Sequence, residues 1–160
     1  MSDIPYFEDE ESKLRPNVPI IERNNINAIV FNPTTNEILC LDWKKFNWKT
    51  FIIGGIENEE DPISAALREI EEETGYINLR FISELGKSKS GYYATHKNEN
   101  RISHTIGFLF ELVDNGKGVI EESTDYVFRW VPIDKVSSFI NLSSQKYYCK
   151  KVLEKINHPI

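Results

Sequence analysis

Two rhythms of apolar and polar positions run along this chain: alternation with period two, which marks half-buried strands, and spacing near 3.6, which marks amphipathic helices. Ile26 to Phe31 reads as a strand, Asn32-Pro33-Thr34-Thr35-Asn36 as a turn, and Ile38 to Trp43 as the returning strand of a hairpin. A short strand, Phe51 to Ile53, runs into the pair Gly54-Gly55. Ile77, Leu79 and Phe81 alternate with Asn78 and Arg80, and Thr105 to Val113 and Tyr126 to Val131 are further apolar strands. Residues 87–101 are polar and read as a loop carrying Tyr92, Tyr93 and His96, and Asp114 to Gly118 reads as a turn. Pro132 is expected to open a short helix bearing Ile133 and Val136. Cys149, Val152, Leu153 and Ile156 mark an amphipathic C-terminal helix that ends near Asn157 and Pro159.

The central helix has the clearest punctuation. Asp61 is a good N-cap, Pro62 suits the first helical position, and Gly75 supplies the stop, leaving residues 62–74 between them. Strands interrupted by this helix and closed by late helices predict an α/β fold with a mixed sheet covered on both faces. Residues 1–23 are acidic, with Pro16 and Pro19, and read as an irregular arm, either partly disordered or laid over the domain; residues 24–157 form a single domain.

At about 100° per residue, Ile63, Ala66, Leu67 and Ile70 share one face of the helix. Glu69, Glu72 and Glu73 share a second, while Glu71 projects the other way. Three carboxylates on adjacent turns repel by about 0.2–0.5 kcal/mol per pair. A bare acidic run is most often a solvated face. A divalent cation would turn the repulsion into a site, and hard oxygen ligands suit Mg²⁺ or Mn²⁺. Arg68 lies one turn before Glu72 and can pair with it.

The acidic run does not stand alone. Gly54, Glu60, Arg68-Glu69, Ile70, Glu72-Glu73 and Gly75 together resemble the Nudix box, G-x5-E-x7-R-E-U-x-E-E-x-G-U, with U a bulky aliphatic residue. Tyr76 takes the final aliphatic position, Ile53 stands where many relatives have proline, and the box register starts at Gly54 rather than Gly55. The resemblance implies a Nudix-like α/β/α sandwich with a mixed β-sheet. It also implies a pyrophosphohydrolase that uses Mg²⁺ or Mn²⁺ to split the diphosphate of a nucleoside diphosphate linked to another moiety. By position, the metal ligands are Glu69, Glu72 and Glu73, and the catalytic set is Glu69, Glu72 and Arg68, with Gly54 shaping the loop. Glu57 and Glu60 could add a ligand or support one. The general base is Glu69 or, from a downstream loop, Glu121 or Glu122; those two also fit an exposed hairpin end. The competing reading is a non-catalytic Nudix-like module that binds a nucleotide or a partner.

Composition narrows the ligand. The chain has 160 residues and a formal charge of −6, which argues against non-specific grip on nucleic acid and requires a metal to mediate contact with phosphates. Lys44, Lys45, Lys49 and Arg101 are candidate phosphate contacts, and Trp48, Tyr92 and Tyr93 candidate stacking partners for a base, each also explicable as ordinary surface or packing. The expected partner is therefore a phosphorylated, nucleotide-type small molecule, and a homodimer is common in the resembled family. Cys40 and Cys149 lack metal-ligand spacing and read as buried reduced thiols, which suits a cytoplasmic protein. No signal peptide or membrane-length apolar run is expected.

Overall fold

The computed structural model describes residues 3–120 and 123–157. Its elements in order are β1 (Tyr6–Glu8), β2 (Ile20–Asn32), β3 (Glu37–Trp43), β4 (Lys49–Thr50), β5 (Ile52–Gly55), α1 (Pro62–Thr74), β6 (Leu79–Ala94), β7 (Glu99–Leu112), β8 (Tyr126–Pro132), α2 (Val136–Phe139) and α3 (Ser143–Asn157). Short 3₁₀ turns lie at Glu10–Ser12 and Thr95–Lys97. Glu121, Glu122 and Pro159 lie outside the described residues.

The sheet has eight strands in the order β1-β6-β7-β2-β3-β4, with β5 on β2 and β8 on β3. It is mixed: β2 runs parallel to β7 and β1 parallel to β6, while the other pairs are antiparallel. Strand β2 forks, pairing with β5 through Asn25–Ala28 and with β3 only at Phe31 and Asn32.

Its period of two splits the core into two layers. Ile26, Ala28 and Val30 pack towards α1 with Ala65, Ala66, Ile70, Phe108 and Phe110. Ile29 points the other way, to Cys40, Phe51, Val136, Tyr148, Cys149 and Val152 under α2 and α3. This is the expected α/β/α sandwich, and a strand buried on both faces reads as the continuous apolar run seen there. Cys40 and Cys149 are both buried and unbridged. No helix among the described residues is long and apolar enough to cross a membrane.

Four expectations are corrected. Residues 87–101 are not a loop: they are the paired ends of β6 and β7, closed by Thr95–Lys97 with Asn98 at φ 47°. The run is polar because its buried polar positions are satisfied by distant partners: Ser88 shares a hydrogen bond with Tyr148, and Asn100 clasps the backbone of Arg15. The arm is not irregular: β1 pairs with Lys89–Gly91, and β2 opens at Ile20, ahead of the expected domain start at residue 24. Pro132 ends β8 instead of opening a helix, since Ile133 N–H bonds the Asn36 carbonyl and helical pairing begins only with α2. Leu67 leaves the buried stripe of α1 and is exposed, because the helix rests on the small side chains Ala65 and Ala66 together with Ile70 and Thr74.

Candidate active site

The rotation of α1 is fixed at both ends. Asp61 Oδ2 accepts from the Ser64 N–H at 3.0 Å, and Pro62 occupies the first turn, where no N–H is needed. At the other end Gly75 turns the chain at φ 86°, and its N–H bonds the Glu71 carbonyl. Lys117 Nζ donates to the Thr74 carbonyl at 2.8 Å and lies over the Tyr76 ring, 3.4 Å from its centre. The tyrosine at the last box position is thus packed, with its hydroxyl accepting from Trp130 Nε1–H.

Gly54 sets the distance between β5 and α1. A Cβ there would fall inside the Glu69 carboxyl group, so only glycine lets that side chain reach the strand. The space next to Gly55 is open, and its carbonyl accepts from Arg68 Nη2 at 2.9 Å.

Arg68 organises the acids. Its Nε donates to Glu60 Oε2 at 2.8 Å and Nη2 to Glu60 Oε1 at 2.9 Å, a bidentate fork. Its Nη1 donates to Glu69 Oε1 at 3.0 Å and to Glu72 Oε2 at 3.3 Å, with Glu57 Oε1 at 3.8 Å. The predicted Arg68–Glu72 pair is present, but the main partner of Arg68 is Glu60. Glu60 in turn accepts from the Glu57 N–H at 3.0 Å. The Arg68 hydrogen bonds hold the Glu60 carboxyl down to about 2, helped by that backbone N–H. Arg68 is therefore spent on loop and helix, and acts through the carboxylates it holds.

One guanidinium serves too many acids. Glu69 is only 13 % exposed at its side chain, and burial raises its carboxyl above the usual range despite Arg68. Glu73 is raised well above that range, first by burial and then by the negative charge of Glu69 and Glu72. Glu73 Oε2 is buried and has no hydrogen-bond partner. A buried carboxylate oxygen without a donor is costly and calls for a proton or a cation. Glu72, at 47 % exposure, is the outermost of the three. Among the described residues no three His, Cys, Asp or Glu side chains converge closely enough to hold a metal ion in their present rotamers. The donor set nevertheless fits Mg²⁺ or Mn²⁺: carboxylate oxygens on one helix face, one of them orphaned.

Beyond Gly54 and Gly55 opens a cleft of about 810 Å³. Trp48, Tyr92, Tyr93 and Arg101 line it. Phe46 stacks on Trp48 with ring centres 4.9 Å apart, and Tyr92 meets Trp48 edge-on at 5.8 Å. The expected lysines are elsewhere: Lys49 faces Asp42 at 3.7 Å, Lys45 faces Asp125 at 3.5 Å, and neither these nor Lys44 lines the cleft. Arg101 is held by Glu99 at 2.9 Å.

Sequence reasoning missed Tyr126. Its hydroxyl donates to the Glu73 carbonyl at 3.4 Å, and burial and the acids Glu73, Glu69 and Glu72 raise its pKa. No spacing rule reaches from α1 to β8; only the pairing of β8 with β3 brings Tyr126 there, 5.2 Å from the Trp43 ring.

The sequence profile of a family described as NUDIX domain matches residues 22–151. A 32-residue stretch is 56% identical to Nudix hydrolase 25 of Arabidopsis thaliana, spanning 20% of this chain and 18% of that protein's length. Among solved structures, a C. elegans Ap4A hydrolase binary complex superposes with a TM-score of 0.63 at 15% identity, covering 84% of this chain and 98% of the other. A NUDIX hydrolase from Listeria monocytogenes gives 0.62 at 20% identity, covering 83% and 93%. At these identities the structural likeness concerns the fold.

Proposed function

The chain belongs to the NUDIX domain family, and from that premise we propose that it is a pyrophosphohydrolase that splits, with a divalent metal, the diphosphate of a nucleoside diphosphate linked to another moiety. The observation that carries this is the buried, partnerless Glu73 Oε2 beside Glu69, in a group of acids that Arg68 alone does not neutralise. Glu69, Glu72 and Glu73 would hold Mg²⁺ or Mn²⁺. When bound, such an ion supplies charge neutralisation for the phosphate oxygens and activates water.

The protein's own residues do the rest. Glu60 and the Gly55 carbonyl grip Arg68, which fixes Glu69 and Glu72 so that little reorganisation is needed as charge develops. Glu69 is the first candidate to take the proton of the attacking water, because its buried carboxyl lies against Gly54 at the edge of the cleft. Glu121 and Glu122, the other candidates, lie outside the described residues. Water adds to one phosphorus, the bridging P–O bond breaks, and the second phosphoryl group leaves on its own moiety. The aromatic walls of the cleft, Trp48 and Tyr92, offer flat faces on which a ring of the substrate can pack. Buried free Cys40 and Cys149 support a reducing, cytoplasmic setting.

A panel of nucleoside diphosphate derivatives with Mg²⁺ or Mn²⁺, run beside Glu73→Gln, tests the proposal. Metal-dependent release of a phosphorylated product that the variant loses is the expected result. No turnover of any derivative, with nucleotide still raising the wild-type melting temperature, would favour a binding module.

A further inference from the structure

The arm ahead of the matched span is tied down at many points. Asp9 accepts from the Ser143 hydroxyl at 3.0 Å and its N–H at 3.2 Å, at the start of α3. Glu8 Oε2 accepts from the Leu14 N–H at 3.2 Å. The side chain of buried Asn100 clasps the backbone of Arg15 from both sides: Asn100 Oδ1 accepts from the Arg15 N–H at 3.0 Å, and its Nδ2 donates to the Arg15 carbonyl at 2.7 Å. The Asn100 N–H bonds the Pro19 carbonyl at 2.8 Å. These contacts cross long sequence distances, and they place Glu10 to Arg15 as one wall of the 810 Å³ cleft.

Arg15 is held for use rather than neutralised. Its guanidinium carbon sits 4.0 Å from the centre of the Tyr93 ring, and Tyr93 is itself fixed by donating to Asn98 Oδ1 at 2.7 Å. With one face on the ring, its N–H edges remain free: among the described residues the Arg15 guanidinium makes no ion pair or hydrogen bond. Arg23 on β2 lines the same cleft and is likewise exposed and unpaired among the described residues. Arg101 differs, since Glu99 holds it. Five basic residues and two acidic ones line this cleft in a chain whose charge is −6. A cavity so much more positive than its protein concentrates anions. The scissile diphosphate belongs at Gly54, where Arg68 and the acids stand; Gly54 pairs with Ile26, whereas Arg15 is clasped by Asn100, which pairs with Ile20 at the far end of β2. The arginine end is left for a second anionic group.

We propose that Arg15, carried by a segment outside the family-matched residues, is a specificity-determining residue that binds a phosphate on the substrate moiety beyond the scissile diphosphate. The preferred substrate is then a nucleoside diphosphate joined to a phosphorylated moiety rather than a neutral one. The place of the scissile bond rests on the hydrolase reading; the binding preference is measured without it.

The test compares hydrolysis-resistant, methylene-bridged analogues of an ADP-hexose and of the same compound phosphorylated on the hexose, titrated into the full chain with Mg²⁺. Wild type is expected to bind the phosphorylated ligand about tenfold tighter. Arg15→Ala should abolish that preference and change affinity for the neutral ligand by less than about twofold, while Arg15→Lys, which keeps the charge but loses the stacked guanidinium fork, should retain only part of it. Equal weakening of both ligands, no weakening of either, or a wild type without preference would each overturn the proposal. Turnover of the natural, oxygen-bridged ligands is recorded in parallel. A chain that shows the binding preference yet hydrolyses neither supports the Arg15 site while contradicting the hydrolase reading.

Discussion

Two regions meet at Gly54 and Gly55, and they are built in opposite ways. On one side α1 carries acids that repel one another, and Arg68 draws Glu60, Glu69 and Glu72 together within 3.3 Å. On the other side the cleft is walled by aromatic and basic groups contributed by the arm, β2, β6 and β7. The first region is electrostatically unbalanced and locally encoded; its key contacts span only 1, 4 and 8 residues. The second is assembled from contacts as distant as 85 and 134 residues. If the proposed function holds, the chemistry sits in a rigid local motif, while the choice of ligand is left to parts that tertiary pairing brings in. The two should therefore fail differently when broken: the acid region through rate, the cleft through affinity.

Arg68→Ala should show the largest effect. It strips Glu60 and Glu69 of their shared partner, so activity is expected to fall by about 100-fold or more and stability by about 2 kcal/mol, read from kcat and from urea unfolding. Unchanged kcat would mean that Arg68 serves packing alone. Gly54→Ala comes next. The new Cβ must displace Glu69, so kcat should drop by more than about tenfold with a cost of about 1–3 kcal/mol, and KM should hold.

The third prediction concerns pH, in chelator. Burial and the neighbouring acids hold the folded Glu73 carboxyl above its unfolded value, so the folded chain keeps a proton that the unfolded chain releases. The stability Glu73 contributes is complete below the ordinary carboxylate range, near about 4.3, and is lost as pH rises through the folded pKa. Glu73→Gln removes that loss. The variant should melt about 2–4 °C above wild type at neutral pH, with the gap closing as pH falls towards that range. A gap that widens on acidification would reverse the sign of the argument. Glu60 runs the other way: held down to about 2 by Arg68, its contribution is present above the ordinary carboxylate range and lost as pH falls towards that value.

The smallest effect belongs to the cleft. Trp48→Leu removes a stacking face and should raise KM about fivefold with kcat nearly unchanged, consistent with about 1 kcal/mol of stacking. A kcat loss equal to that of Gly54→Ala would erase the distinction between the two regions.

The same division explains what could be read from sequence. The helix from Asp61 to Gly75 was legible in full, because its cap, first turn and stop are set by immediate neighbours. The acid face was legible as a spacing, but not its gradient from buried Glu73 to exposed Glu72, which depends on how α1 lies over β5. The double-faced core was legible in the apolar run of β2. Residues 87–101 were not legible as strand, because buried polar positions such as Ser88 and Asn100 are satisfied by distant Tyr148 and Arg15. The arm was illegible for the same reason: Asp9 finds its partner in Ser143, and nothing local signals that. Trp48, Tyr92, Tyr93 and Arg101 were singled out by residue type, but that they line one cleft was not legible, and Tyr126 needed the β3–β8 pairing.

The account stands on the acids around Glu73 being a metal centre. The most direct measurement is a Mn²⁺ titration followed by electron paramagnetic resonance, in wild type and Glu73→Gln at neutral pH. Binding by wild type that weakens by about tenfold or more in the variant is the predicted result. Equal binding by both proteins, or none by wild type, would contradict it.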